Sequence, residues 1–358
     1  MFSARLAFGL KRGRQFLSRS ICTTLEIILT RHAKTRSKRT HTIRLLPIHL
    51  FASVMGIAGL SLAWREAAKG ALFNGVIGET IGWVAVAVFV ALVAGYGMKF
   101  ILHPGAIVAE YSDPVMNSFF ATIGIGILLL SSFLRPYNAT LAQTTWVAGT
   151  VLTFVTAYAV MQRFLGRQHR GEDTLPALLI PGVATLDITV TGSDMPYSWA
   201  HEVNMLAFAV GSVLAGVLIV LIFSRLRHHE ALPMRMRPSL LIVSAPFAVG
   251  FLAYTNLTGQ VDIFASSLFY FAFFLLLVLA PKVFRSGIPF SVNWWAIGFP
   301  LAAFSIAAFR YSSAVGTLPL KVFAIAVFAF SAGAIAVLFV RTLMIISSGQ
   351  LFRLENSQ

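Results

Sequence analysis

Apolar residues fall in long blocks, ten of them close to the ~20 residues that carry an α-helix across a ~30 Å hydrocarbon core. The blocks cover 45–64, 76–98, 115–134, 141–162, 175–192, 199–224, 239–256, 262–280, 293–309 and 319–342. The polar stretches between them are short, so successive helices are expected to be antiparallel neighbours with no inserted soluble domain. Prolines divide the blocks into two kinds. Pro47, Pro181, Pro246 and Pro300 fall within odd-numbered spans, and Pro114 stands at the entry of the third. Even-numbered spans such as "AFAVGSVLAGVLIVLIF" have no interior proline. A proline inside a helix removes a hydrogen bond and clashes with the preceding turn, costing ~3 kcal/mol. The freed backbone groups need protein or water partners, because lipid offers none. The broken helices are therefore expected inside and the regular ones outside. Five inner helices around one axis leave a central hole, which predicts a pore.

Composition agrees with a membrane solvent. Of 358 residues, 57% are hydrophobic and 11% charged, and the mean hydropathy is +0.80; a soluble domain carries about 25% charged residues. The chain reads as an all-α integral membrane protein of ten transmembrane helices in five helical hairpins. The single cysteine, Cys22, excludes an intrachain disulfide and a Cys-rich metal site.

Charge adds orientation. Residues 1–44 carry eleven Lys/Arg against one acid, Glu26, and read as a disordered basic cytoplasmic tail. Within it "FLSRSICTTLEIILT" has the makings of a short interfacial helix on anionic lipid. No long apolar run follows the first basic cluster, so a cleavable signal is not expected, and no nucleic-acid recognition fold accompanies the charge. Lys99, Arg163, Arg167, Arg170, Arg225, Arg227, Arg235, Arg237, Lys282 and Arg285 fall in alternate loops, on the same side as the tail. This bias predicts that both termini are cytoplasmic. Trp64, Trp199, Trp294 and Trp295 lie at span ends, as an interfacial aromatic belt requires. The domain boundaries expected are a tail over 1–44, a membrane domain over 45–345 and a C-terminal tail over 346–358.

Four stretches in order, "LPIHLFASVMGIAGLSLAWR" (46–65), "DPVMNSFF" (113–120), "SAPFAVGFLAY" (244–254) and "NWWAIGFPLAAFSIAAFRYS" (293–312), resemble the tellurite-resistance/dicarboxylate transporter family, which includes the slow-type anion channels. The resemblance covers about 44–345. It implies five hairpins around a pore, a homotrimer with one pore per subunit, inner helices kinked by Pro47, Pro181, Pro246 and Pro300, and a plugging phenylalanine in the ninth helix. Matching "WWAIGFP" places that plug at Phe299. Phe119, Phe120, Phe247, Gly56 and Asp187 are further pore-lining candidates. The implied location is the plasma (inner) membrane, and the implied partners are small anions and the lipid bilayer.

Little else in the chain offers chemistry. "RHHE" (227–230) lacks metal-ligand spacing, and there is no nucleophile–base pair or cofactor loop, so neither an enzyme nor a cofactor is expected. Asp187 lies inside a span, where a carboxylate is by default a functional candidate; His49 sits near the end of the first. Arg65, Arg135 and Arg310 stand at the opposite ends of spans one, three and nine, against the basic bias, and are expected to form an outer funnel that concentrates anions. Two functions stay open: a passive channel or uniporter for C4-dicarboxylates or small inorganic anions, and a proton-coupled carrier that uses Asp187.

Overall fold

The computed structural model describes residues 43–70, 73–166, 171 and 174–348, so most of the basic tail and the chain from 349 onward lie outside the described residues. Regular structure among the described residues is entirely helical. In chain order it comprises α1 (Ile48–Ala68), α2 (Gly75–Leu102), α3 (Pro104–Ser112), α4 (Met116–Leu134), α5 (Ala139–Gly166), α6 (Pro176–Gly192), α7 (Ala200–His228), α8 (Met234–Thr258), α9 (Ile263–Val283), α10 (Val292–Val315) and α11 (Leu318–Ser347). Nine of these described helices are long and apolar enough to cross a membrane; α6 is apolar but shorter. The short α3 is an element that the run-length pattern does not predict. It opens with Pro104 in its first turn, where a missing N–H costs nothing.

The prolines act differently from the interior kinks expected of them. Pro47 is the N-cap of α1, outside the helix, and so does not bend it. α1, α6, α8 and α10 each begin as a tight 3₁₀ segment: Ile48–Phe51, Pro176–Leu179, Met234–Ser244 and Val292–Ile297. Each then widens into an α-helix. Pro181, Pro246 and Pro300 lie in the first turn of the α segments Ile180–Gly192, Ala245–Thr258 and Gly298–Val315. The first N–H groups of a helix lack intrahelical acceptors, so a proline there sacrifices little. α4 has its joint at Phe120, between the turn Met116–Phe119 and the helix Ala121–Leu134. Each broken helix therefore carries its discontinuity in its first half; the 3₁₀ segment of α8 also holds Pro238 in its interior. Among the regular helices α9 contains Pro281, close to its end.

Burial sorts the helices as the proline pattern implied. Within their most apolar stretches, 72–83% of the residues of α1, α4, α8 and α10 are buried, against 22–33% for α2, α5, α7, α9 and α11. Nearly every residue of α6 from Ile180 on is buried. Successive helices pack in the pairs α1–α2, α4–α5, α6–α7, α8–α9 and α10–α11. The buried members also meet in cyclic order: α1 on α4, α4 on α6, α6 on α8, α8 on α10, and α10 back on α1. The last contact is close because α1 presents Gly56. A Cβ there would lie 3.2 Å from the Trp295 ring and 3.4 Å from Gly298 Cα, the small-residue approach that membrane helices use in place of hydrophobic drive.

α3 is strapped to this bundle by a buried ion pair. Lys99, 1% exposed, donates from Nζ to Glu110 Oε1 at 2.7 Å and to the Leu46 carbonyl at 2.6 Å. The Tyr96 hydroxyl donates to Glu110 Oε2 at 2.5 Å. Lys99 is thus the buried tie of α2 rather than the free loop cation it resembles in sequence.

Candidate functional site

Where the tight turns widen into α-helix, side chains from all five buried helices surround a narrow cavity of about 20 Å³, room for about one water molecule. α1 contributes Ala52 and Met55; α4 contributes Phe119, Thr122 and Ile125; α6 contributes Ile180 and Val183; α8 contributes Ile242 and Ala245. α10 supplies the largest share, with Trp295, Ala296, Phe299 and Pro300. No lining residue is charged. The Thr122 hydroxyl is spent on the Phe119 carbonyl at 2.6 Å, and Trp295 Nε1 is turned away to Thr342 Oγ1 at 2.8 Å. The lining therefore offers neither a fixed charge nor a free side-chain donor. An apolar, uncharged constriction is the kind of element that gates by size and dewetting where it stands on an ion path.

Phe299 is 5% exposed and immediately precedes Pro300, at the start of the α segment of α10. Of the other pore-lining candidates, Phe119 also lines the cavity, with its ring edge-on to buried His49 at 5.7 Å. Phe120 packs instead against Tyr96 and Tyr111, and Phe247 against Phe271 of the outer helix α9. Gly56 lies behind the cavity, as the floor on which Trp295 rests. Trp295 was expected in an interfacial belt, yet it is 1% exposed and forms part of the wall. Its doubled "WW" offered no means of telling which ring turns inward. Asp187 is 2% exposed, and its Oδ2 has no hydrogen-bond partner; it is not among the cavity-lining residues.

The three arginines of the expected funnel are not equivalent. Arg65 is held by both oxygens of Glu79, at 2.8 and 2.7 Å, and also donates to the Ser132 and Phe133 carbonyls. Arg135 pairs with Asp194. Both charges are locally compensated, which corrects the picture of three free cations. Arg310 makes no ion pair among the described residues. From Nη1 it donates to the Leu252 carbonyl, to Thr255 Oγ1 at 3.0 Å and to Asn256 Oδ1 at 2.5 Å. Asn256 passes the link on, donating to the Val190 carbonyl of α6 at 2.8 Å. Arg310 thus ties α10 to α8 and α6 through neutral groups and keeps its positive charge. It stands eleven residues beyond Phe299, three turns along nearly the same helix face.

Comparison with known proteins follows the same outline. A family described as voltage-dependent anion channel, SLAC1, matches residues 46–343. A tellurite resistance protein TehA homolog of Haemophilus influenzae is 28% identical over 325 residues, which cover 88% of this chain and 96% of the relative. The guard cell S-type anion channel SLAC1 of Arabidopsis thaliana is 27% identical over 311 residues, 83% of this chain and 55% of the relative. The S-type anion channel SLAH3 of the same plant is 25% identical, covering 83% of this chain and 48% of the relative. The chain spans nearly all of the bacterial relative and about half the length of the two plant channels. A family match over most of the chain, on an all-helical apolar bundle, makes this protein a member of the SLAC1/TehA family of membrane anion channels and transporters.

Proposed function

We propose that the five helix pairs are hairpins of a ten-span bundle whose ring of broken helices encloses an anion pore, closed by Phe299. The observation that carries this reading is the cavity itself, shared by all five inner helices, uncharged, and lined by Phe299 and Phe119. A carrier that grips a dianion at the midplane uses a fixed cation or converging helix N-termini. Here the lining holds no cation, so an anion meets only backbone dipoles and apolar walls. Weak binding of that kind favours passage over tight carriage. The substrates proposed are C4-dicarboxylates of the malate class or small inorganic anions. The anion-channel names of the plant relatives support an anion as the substrate.

In this reading the membrane domain runs over 45–345, between a basic cytoplasmic tail (1–44) and a cytoplasmic C-terminal tail (346–358). The protein is a homotrimer of the plasma (inner) membrane. Basic loops set the orientation, and the family match over 46–343 supports the boundaries. The test is anion flux into liposomes under a set membrane potential. Phe299→Ala removes the ring from a position where the backbone is already set by the following proline, so flux rises strongly; Phe299→Leu, which keeps much of the volume, gives a smaller rise. A folded Ala variant with unchanged flux removes Phe299 as the gate and shifts attention to Phe119.

A second reading, a proton-coupled carrier, has one observation in its favour: the buried Asp187 carboxyl with an unpartnered oxygen. Its cost in an apolar setting has no structural compensation among the described hydrogen bonds.

A further inference from the structure

We propose that α11 and the α9–α10 connection form a binding groove for an anionic phospholipid, with the headgroup phosphate on Arg341 and an acyl chain along the helix toward Ala329. The groove is lined on one side by Ala329, Phe330, Gly333, Ala334, Val337, Leu338 and Arg341, a single stripe of α11. Its other wall is Phe284, Phe290, Trp294 and Ile297, and it encloses about 930 Å³, partly open to the surroundings. This is a separate feature from the central cavity, with which it shares no lining residue.

The wall is built to persist. Phe284 packs edge-on to Phe330 at 5.3 Å and against Trp294 at 6.3 Å. Trp294 Nε1 donates back to the Pro289 carbonyl at 3.1 Å, fixing the connection as a rim. The floor is shallow because Gly333 has nothing within 4 Å of where a Cβ would stand. A strip of aromatic wall and small-residue floor accommodates a flexible hydrocarbon chain.

Depth and charge identify the occupant. Lys321 and Arg341 are the only charged residues of α11, and the twenty residues from one to the other span about 30 Å at 1.5 Å per residue, the thickness of the hydrocarbon core. Arg341 therefore emerges at phosphate level while the stripe from Ala329 to Leu338 lies at acyl depth. Its guanidinium rests 5.6 Å over the Phe290 ring and makes no ion pair among the described residues. The chain contains no Asp or Glu between Asp262 and Glu355, so this part of the molecule supplies no counter-charge. Exposed Lys282 and Arg285 flank Phe284 on the same rim. A basic edge above an apolar groove at this depth complements an anionic lipid better than a zwitterionic one.

The experiment is native mass spectrometry of the purified full-length protein incubated with an equimolar mixture of phosphatidylglycerol and phosphatidylcholine. The unmodified protein is expected to retain phosphatidylglycerol with about a fivefold preference, the effect of one basic residue at an anionic surface. Arg341→Gln, an exposed change that leaves packing intact, should abolish that preference. Gly333→Trp should fill the groove and release the lipid, whereas Val213→Trp, at an exposed position of α7 outside the groove, should not. Undiminished preference in Arg341→Gln overturns the proposal, as does lipid retention in Gly333→Trp. If Gly333→Trp lowers the oligomer mass and leaves lipid retention untouched, the occupant is a second copy of the chain and the lipid assignment fails. If a chain ending at Ser348 gains lipid that the full chain lacks, the C-terminal segment is the occupant and the assignment fails as well.

Discussion

The unpaired charge of Arg310 allows a quantitative prediction. Eleven residues separate it from Phe299 on α10, about 16 Å along the helix axis at 1.5 Å per residue. At an effective dielectric constant near 20, a unit charge at that distance stabilises an anion beside Phe299 by about 1 kcal/mol. Replacing Arg310 by Gln should therefore lower the flux of a monovalent anion about fivefold and that of a dianion about 30-fold, since the energy doubles with charge. The assay is liposome flux of chloride and of malate in ~0.01 M salt, where the Debye length of about 30 Å exceeds the separation, and again in 1 M salt, where it falls to about 3 Å. The loss should vanish in the high-salt arm. Arg310→Lys keeps the charge while giving up much of the network to Leu252, Thr255 and Asn256, and should behave like the unmodified protein. The joint change Arg65→Gln with Glu79→Gln removes a neutral pair and should leave flux unchanged. A deficit in Arg310→Gln that persists at 1 M salt, or that Arg310→Lys shares, refutes the field argument and assigns Arg310 to helix packing.

Three further outcomes are expected. Asp187→Asn should leave flux and its pH dependence intact if the protein is a passive pore; abolition of proton-dependent uptake by the folded variant would establish the carrier in its place. Lys99→Met leaves Glu110, part-buried beside Tyr96, without its cation and should cost about 1–3 kcal/mol of stability, read as a fall in thermal midpoint in detergent; Lys99→Met with Glu110→Leu should recover most of it. Asp262 caps α9 by accepting from the Ala265 N–H at 2.9 Å, and that bond, with the Tyr254 hydroxyl, holds its carboxylate below the usual range. A carboxylate so depressed contributes stability above its ordinary pKa of about 3.9 and loses it as the pH falls below that value. The difference in thermal midpoint between the unmodified protein and Asp262→Ala should therefore be present at pH 7 and shrink near pH 3.

Nine of the ten expected spans, and the division into buried and outer helices, could be read from the sequence because both follow from local rules. Run length reports bilayer thickness, and prolines report where backbone must find protein partners. Long-range pairing could not be read. Arg65 finds Glu79 fourteen residues away and Arg135 finds Asp194 fifty-nine away, so of three arginines that look alike in sequence two form ion pairs and the third, among the described residues, is held by neutral groups. Lys99 reads as a loop cation because Glu110 belongs to α3, a nine-residue helix too short to stand out as a span. The kinks were misplaced for a related reason: hydropathy does not distinguish a 3₁₀ turn from an α turn, so prolines that open a new segment pass for prolines inside one. Trp295 shows the same limit at the cavity, since adjacent tryptophans point in different directions and only the presence of Gly56 on the facing helix selects the inward one.

The cyclic contact order has a consequence for biogenesis. α1 leaves the ribosome early and α10 late, yet the ring is complete only when the two meet. Until then the bundle is an arc with one side open to lipid, and it has no continuous lumen through which solutes could leak. The helix that completes the circle is also the one that carries Phe299. In the proposed reading, where Phe299 closes a central pore, closure of the ring and delivery of that side chain are one event, and an enclosed but unfilled bundle is not an intermediate of synthesis.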